Sequence, residues 1–127
     1  MLAAIGAAGA VGTLARYGFG GYAQRFSATF PASTLVINIA GSLVLGFLMR
    51  YLLSTTASPE LRAALTIGFC GGFTTFSTFS YETARLIQGG SYARAGVYVL
   101  ASVLLSLAAT FAGFAAAARL VSAPVRG

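Results

Sequence analysis

The chain has 127 residues, of which 57% are hydrophobic and only 8% charged, with a formal net charge of +6 and no histidine. A soluble domain carries roughly a quarter charged residues, so this chain cannot cover a globular surface with polar groups. The basic excess does not point to nucleic acid either: its eight positive charges are scattered arginines at the ends of apolar segments, not a cluster on a wettable face.

The first predicted helix covers about 2–24. Met1–Ala15 is free of charge, and apolar and small residues continue past Arg16 to Tyr22. No basic region follows Met1 and the apolar stretch is too long for a signal peptide. Gly6, Gly9, Ala10 and Gly12 offer small faces on which another helix can approach closely. After a turn at "SATFP", the second helix is expected over 33–53, with Thr34, Asn38 and Ser42 at intervals of four and therefore on one face.

"STTASP" makes the next connection, and Pro59 stands at the start of a third helix, 60–88. Its interior reads "GFCGGFTTFSTFS". Gly71 and Gly72 each cost about 1 kcal/mol relative to alanine in a helix, so a central break is expected near 71–75. Such a break frees carbonyls that protein, water or an ion must satisfy. "QGGS" is a stop signal, and the fourth helix is expected over 91–121, carrying Tyr98, Ser102, Ser106 and Thr110 at intervals of four. The charge-free windows Ser27–Met49, Ala63–Tyr81 and Ala95–Ala118 each approach or exceed the ~18–20 residues that cross a bilayer. Cys70 is the only cysteine, so it has no partner for a disulfide within the chain and reads as a small apolar filler. The expectation is an all-α integral membrane protein of four transmembrane helices in a single domain, the third helix broken at its centre.

Orientation is not specified. Arg50, Arg62, Arg119 and Arg126 fall toward the end bearing the termini, and Arg16, Arg25, Arg85 and Arg94 toward the other. A chain without charge bias can insert both ways and pair as an antiparallel, dual-topology homodimer. The competing reading is that one weak charge decides, or that Arg16 lies too deep to count.

The two polar stripes have two readings: the walls of a narrow track, or hydroxyls bonding between helices and back to their own carbonyls. As a track they would supply hydroxyl and amide donors beside Arg16, with Glu60 and Glu82 the only acids in the chain. Cation paths are lined by carboxylates and proton-coupled pumps need a titratable group in mid-membrane, so the pattern suits a small anion. Freed carbonyls near Gly71 suit a hard cation such as Na+. Phe76 and Phe79, three apart, share a face, and aromatic ring edges carry partial positive charge. Against this stands a small-residue packing face with two lipid-facing phenylalanines.

"GFCGGFTTFSTFS" followed by "YE" resembles the signature of the Fluc (CrcB-like) fluoride channels, through its GG-x-T-T-F-S-T-F-S order. "NIAGSLVLG" is similar to the family's second segment, with Asn38 and Gly41 in matching positions, and Arg16 and the Tyr/Ser stripe match as well. The resemblance spans essentially the whole chain. It implies an antiparallel homodimer with two fluoride pores along the subunit contacts. Phe76 and Phe79 would be the pore phenylalanines, Asn38 and Thr75 nearby polar contacts, and Tyr98, Ser102 and Ser106 the polar track. Carbonyls of Gly71 and Thr74 from both subunits would hold a central structural Na+. Arg16 would stand at the pore vestibule and Glu82 near one pore end. Phe73 departs from the aliphatic residue often found there.

The implied function is a passive, fluoride-selective channel in the bacterial plasma (inner) membrane, exporting toxic fluoride. Its partners would be fluoride, Na+, membrane lipid and a second copy, with no nucleic acid. No nucleophile–base pair or catalytic metal cluster suggests an enzyme. Two alternatives come from other classes. A small multidrug-type proton antiporter needs a carboxylate in mid-segment one, which is absent here. A non-transporting scaffold subunit would rest on Gly/Ala packing alone.

Overall fold

The computed structural model describes residues 1–122; Arg126, counted in the charge balance above, lies outside the described residues. Helix α1 (Leu2–Ala23) runs into a 3-10 turn (Gln24–Phe26), and α2 spans Ala32–Leu53. The third segment starts as α-helix over Pro59–Ala63, is wound as a π-helix over Ala64–Cys70 and returns to α geometry over Gly71–Phe73. We call 59–73 α3. Helix α4 follows over Phe76–Gln88 and α5 over Tyr92–Ser122. Every regular element among the described residues is helical. Three helical stretches are long and apolar enough to cross a membrane: Leu2–Phe26 (25 residues), Ala32–Leu53 (22) and Tyr92–Ser122 (31).

Local chemistry sets the ends. Ser58 caps α3 by accepting the Leu61 N–H at 3.2 Å, with Pro59 at the first helical position where its missing donor costs nothing. The Thr66 hydroxyl takes the Arg62 carbonyl at 2.8 Å, which is the acceptor that α winding would give to the Thr66 N–H. Winding is wider from there to Cys70. Gly90, at φ 75°, makes the left-handed turn between α4 and α5. The Ser33 hydroxyl ties α2 back to α1 by donating to the Gly20 carbonyl at 3.2 Å.

Two glycine seams hold the bundle together. On the first, α1 meets α3 so closely that a Cβ on Gly72 would lie 2.5 Å from the Gly9 carbonyl oxygen, and one on Gly68 would lie 2.6 Å from that of Ile5. On the second, Gly46 of α2 lies against the Thr110 backbone of α5, and a Cβ on Gly113 would lie 2.6 Å from the Phe47 nitrogen. Few side chains are buried, among them Ile37, Cys70, Ala95, Ala117 and the fully covered Tyr98. Cys70 is a packing residue. Large apolar side chains such as Leu14, Leu100, Leu104 and Phe111 are exposed, as lipid-facing positions require.

One expectation is corrected in place. Gly71 and Gly72 do not interrupt the third segment; both are helical, with Gly71 at φ −64°, ψ −36°. Gly72 is small because α1 lies against it. The extended residues are Thr74 (φ −83°, ψ 159°) and Thr75 (φ −151°, ψ 114°).

The seams make a direct prediction. Gly72→Ala should lower the unfolding midpoint in detergent, because overpacking costs about 1–3 kcal/mol. Gly6→Ala, whose methyl would meet nothing within 4 Å, should not lower it. Equal thermal melts for the two variants would remove close approach as the reason for Gly72.

Candidate functional site

The interruption at Thr74 and Thr75 is held by the side chain of Asn38. Its amide donates through Nδ2 to the Thr75 carbonyl at 3.0 Å, and its Oδ1 accepts the Thr75 N–H at 2.8 Å. An amide can give and receive in this paired way, whereas an ionised carboxylate can only accept. The Thr75 N–H is thereby taken from the Gly71 carbonyl, its partner in a continuous helix. Thr75 then caps α4: its hydroxyl oxygen accepts the Thr78 N–H at 3.3 Å and its O–H reaches the Thr78 hydroxyl at 3.0 Å. The Thr78 N–H is likewise kept from Thr74. Thr74 turns its hydroxyl back onto the Cys70 carbonyl at 2.9 Å, and its methyl fits against Gly41, where no Cβ intervenes.

This restart aims Phe76 and Phe79 into a groove between α2 and α5. Their rings lie 5.4 Å apart at 48°. The groove holds about 450 Å³, and its polar lining comes from Asn38, Ser42, Thr74, Thr75, Ser102 and Ser106. Glu60 and Glu82 are not among its walls. Ser102 Oγ is buried with no protein partner, leaving a free donor on the wall. Thr110 also borders the groove, but its hydroxyl donates back to the Ser106 carbonyl at 3.0 Å. Phe76 keeps 77% of its surface uncovered.

A second cavity of about 780 Å³ contains Arg16, Thr78 and Glu82, and Thr75 borders both spaces. Glu82 accepts two hydroxyls, from Thr34 on Oε1 at 2.9 Å and from Tyr98 on Oε2 at 2.6 Å. Among the described residues no arginine forms an ion pair with it; the one ion pair joins the Met1 ammonium to Glu60 at 2.7 Å. Tyr98 does not line the groove. Its ring lies beneath Phe79, 5.2 Å between centroids, and its hydroxyl is spent on Glu82.

Of the residues singled out by sequence, the structure gathers Asn38, Thr74, Thr75, Phe76, Phe79, Ser102 and Ser106 around one groove. Arg16 and Glu82 come together in the adjoining cavity. Gly71 is exposed on α3, two residues before its end.

Comparison with known proteins covers the same span. The family described as CrcB-like protein, Camphor Resistance (CrcB), matches residues 3–114. The chain belongs to the CrcB-like family. Among its relatives is a protein of Geobacter metallireducens named fluoride-specific ion channel FluC, 50% identical over 121 residues, which are 94% of this chain and 98% of that one. A protein of the same name from Geobacter sulfurreducens is 50% identical over 119 residues, 92% and 96% of the two chains. A namesake from Thermus thermophilus is 44% identical over 115 residues, 90% and 89%. The CrcB-like match includes every residue of the groove and of the Arg16 cavity.

Sequence reasoning missed two members of this CrcB-like site. Thr34 was legible only as part of a stripe, although it stands one turn from Asn38; its bond to Glu82 joins residues 48 apart. Thr78 carried no signal beyond its place among hydroxyls. We expect Asn38→Leu to reduce transport activity by more than tenfold and to destabilise the protein by about 2–6 kcal/mol, about 1–3 for each of the two Thr75 backbone groups left unpaired. Thermal melts and flux on the same preparation check this. Unchanged flux would separate the clamp from function.

Proposed function

We propose that this chain is a fluoride-selective passive channel. It works as an antiparallel homodimer in the bacterial plasma membrane and lets fluoride leave the cytoplasm. The carrying observation is the groove that combines the Phe76–Phe79 pair with the unpartnered Ser102 hydroxyl, two further serines and no carboxylate on its walls. The names of the relatives at about half identity support the same ion. The family conducts an ion and is not an enzyme family.

A small, strongly hydrated anion gives up water only where donors replace it. Ser42 and the Asn38–Thr75 pair on one wall, and Ser102 and Ser106 on the facing one, supply hydroxyl and amide dipoles. The phenylalanine edges add a weak positive field. Weak sites in series let the anion leave again, whereas a fixed charge in the groove would trap it. Arg16, in the adjoining cavity, draws anions toward the Thr75 end. A single copy leaves the groove open and Phe76 largely uncovered, which favours closure by a second copy. On this reading 59–88 is a fourth membrane span, broken at Thr74–Thr75, and each antiparallel pair carries two pores.

The Gly71 and Thr74 carbonyls fit a hard cation. Both have lost the N–H that a continuous helix would give them, one to Asn38 and one to the Thr75 hydroxyl. When bound there, Na+ supplies positive charge that two subunits share. Asn38 and Thr75 hold the carbonyls free for it.

Fluoride efflux from liposomes, read by electrode with chloride as control, tests the function. Fluoride flux should clearly exceed chloride flux if donor spacing selects the smaller ion; equal fluxes would defeat the selectivity claim. Phe76→Ile should slow fluoride severely while the protein still elutes as a dimer, and wild-type flux in that variant would take Phe76 out of the pore. Exhaustive removal of Na+ should shift the purified protein toward monomer. A dimer indifferent to Na+ would rule out the structural ion. A proton antiporter would show flux coupled to a pH gradient, and a scaffold would show none.

A further inference from the structure

A third opening lies at the loop end of the molecule, outside the groove and the Arg16 cavity. It encloses about 440 Å³ between residues 28–31 and the facing ends of α4 and α5, with Arg85, Tyr81 and Ser91 among its walls. Two side chains, Gln24 and Glu82, line both this opening and the Arg16 cavity, so they form the border between the two spaces. The Gln24 amide donates to the Ser27 carbonyl at 3.1 Å, which fixes the loop. Phe30 anchors the same loop edge-on against Tyr98 at 5.6 Å and 86°.

Arg85 is exposed in the last turn of α4 and has no ion-pair partner among the described residues. It stands three residues after Glu82, about 4.5 Å further along the helix axis. The Glu82 carboxylate alone would make this opening repel anions. Arg85 within one turn offsets that charge, and it is the only cation among the walls.

We propose that the loop-end opening is an anion-collecting site, in which Arg85 concentrates small hard anions at the Gln24–Glu82 border, opposite the Arg16 side. The inference rests on the channel reading above and adds a mouth to it. Arg16 and Arg25 act from the neighbouring cavity, while Arg94 is exposed on α5 at the same end without lining the opening.

The test uses the intact protein in liposomes of neutral phospholipid, with fluoride well below saturation. Initial efflux is measured at about 10 mM and about 1 M ionic strength, where charges act over roughly 30 Å and roughly 3 Å. Arg85→Gln should slow efflux about three- to tenfold at low ionic strength and less than about twofold at high. Arg85→Lys should restore most of the rate, and Arg94→Gln should cost clearly less than Arg85→Gln at low ionic strength and match wild type at high. Three results would overturn the proposal: wild-type efflux in Arg85→Gln at low ionic strength, an equal loss in Arg94→Gln, or a loss that salt does not diminish. Wild-type protein without fluoride flux would overturn the channel reading and this inference with it.

Discussion

The structure turns on one side chain answering two backbone groups. A peptide N–H or C=O left alone in a membrane interior costs several kcal/mol, so a helix does not open there unless something else takes its bonds. Asn38 takes both bonds of Thr75, at 2.8 and 3.0 Å. The rest follows from that exchange. The helix stops at Phe73, Thr75 becomes the cap of a new one, and α4 leaves at an angle that puts Phe76 and Phe79 in the groove. An aspartate at 38 could not give the donor, and a leucine could give neither.

The same exchange explains why polar chemistry concentrates at this depth without ionised groups. Each diverted N–H leaves a carbonyl with spare capacity, and each threonine at the interruption has a hydroxyl to place. Thr74 and Thr75 use theirs on Cys70 and Thr78, so both hydroxyls are satisfied locally. Ser102 is the exception, buried and unpartnered on the facing wall. A donor left unused in a well-bonded neighbourhood is a standing cost of order 1–3 kcal/mol. An anion moving along the groove is a partner that would relieve it.

Much of the helical plan was legible because it rests on local statistics. Long apolar runs, Pro59 at a helix start and the Gly89–Gly90 turn need no tertiary information. The place of the interruption was not legible in that way. Glycine propensity pointed to Gly71 and Gly72, yet both are helical, because their segment is held by α1 and the decisive bond comes from Asn38, 37 residues away. Intrinsic preference near 1 kcal/mol loses to a pair of tertiary hydrogen bonds. The stripe on α2 had a similar limit. Its spacing put Thr34, Asn38 and Ser42 on one face, but a periodicity cannot say that Thr34 faces a carboxylate while Ser42 faces a groove. Tyr98 illustrates the same point on α5: it shares a stripe with Ser102, but its ring is fully buried and its hydroxyl is committed to Glu82.

On the proposed channel reading, Glu82 is an acid beside an anion route. A bare carboxylate on the wall would raise the energy of a passing anion by about 4 kcal/mol at 4 Å in surroundings of intermediate polarity. Here two hydroxyls, from two different helices, donate to its two oxygens and draw off part of that charge. The arrangement also joins α2, α4 and α5 at one point, in the cavity that holds Arg16. Hydroxyl donors keep the field shallow, and a shallow field is what passage, as opposed to binding, requires.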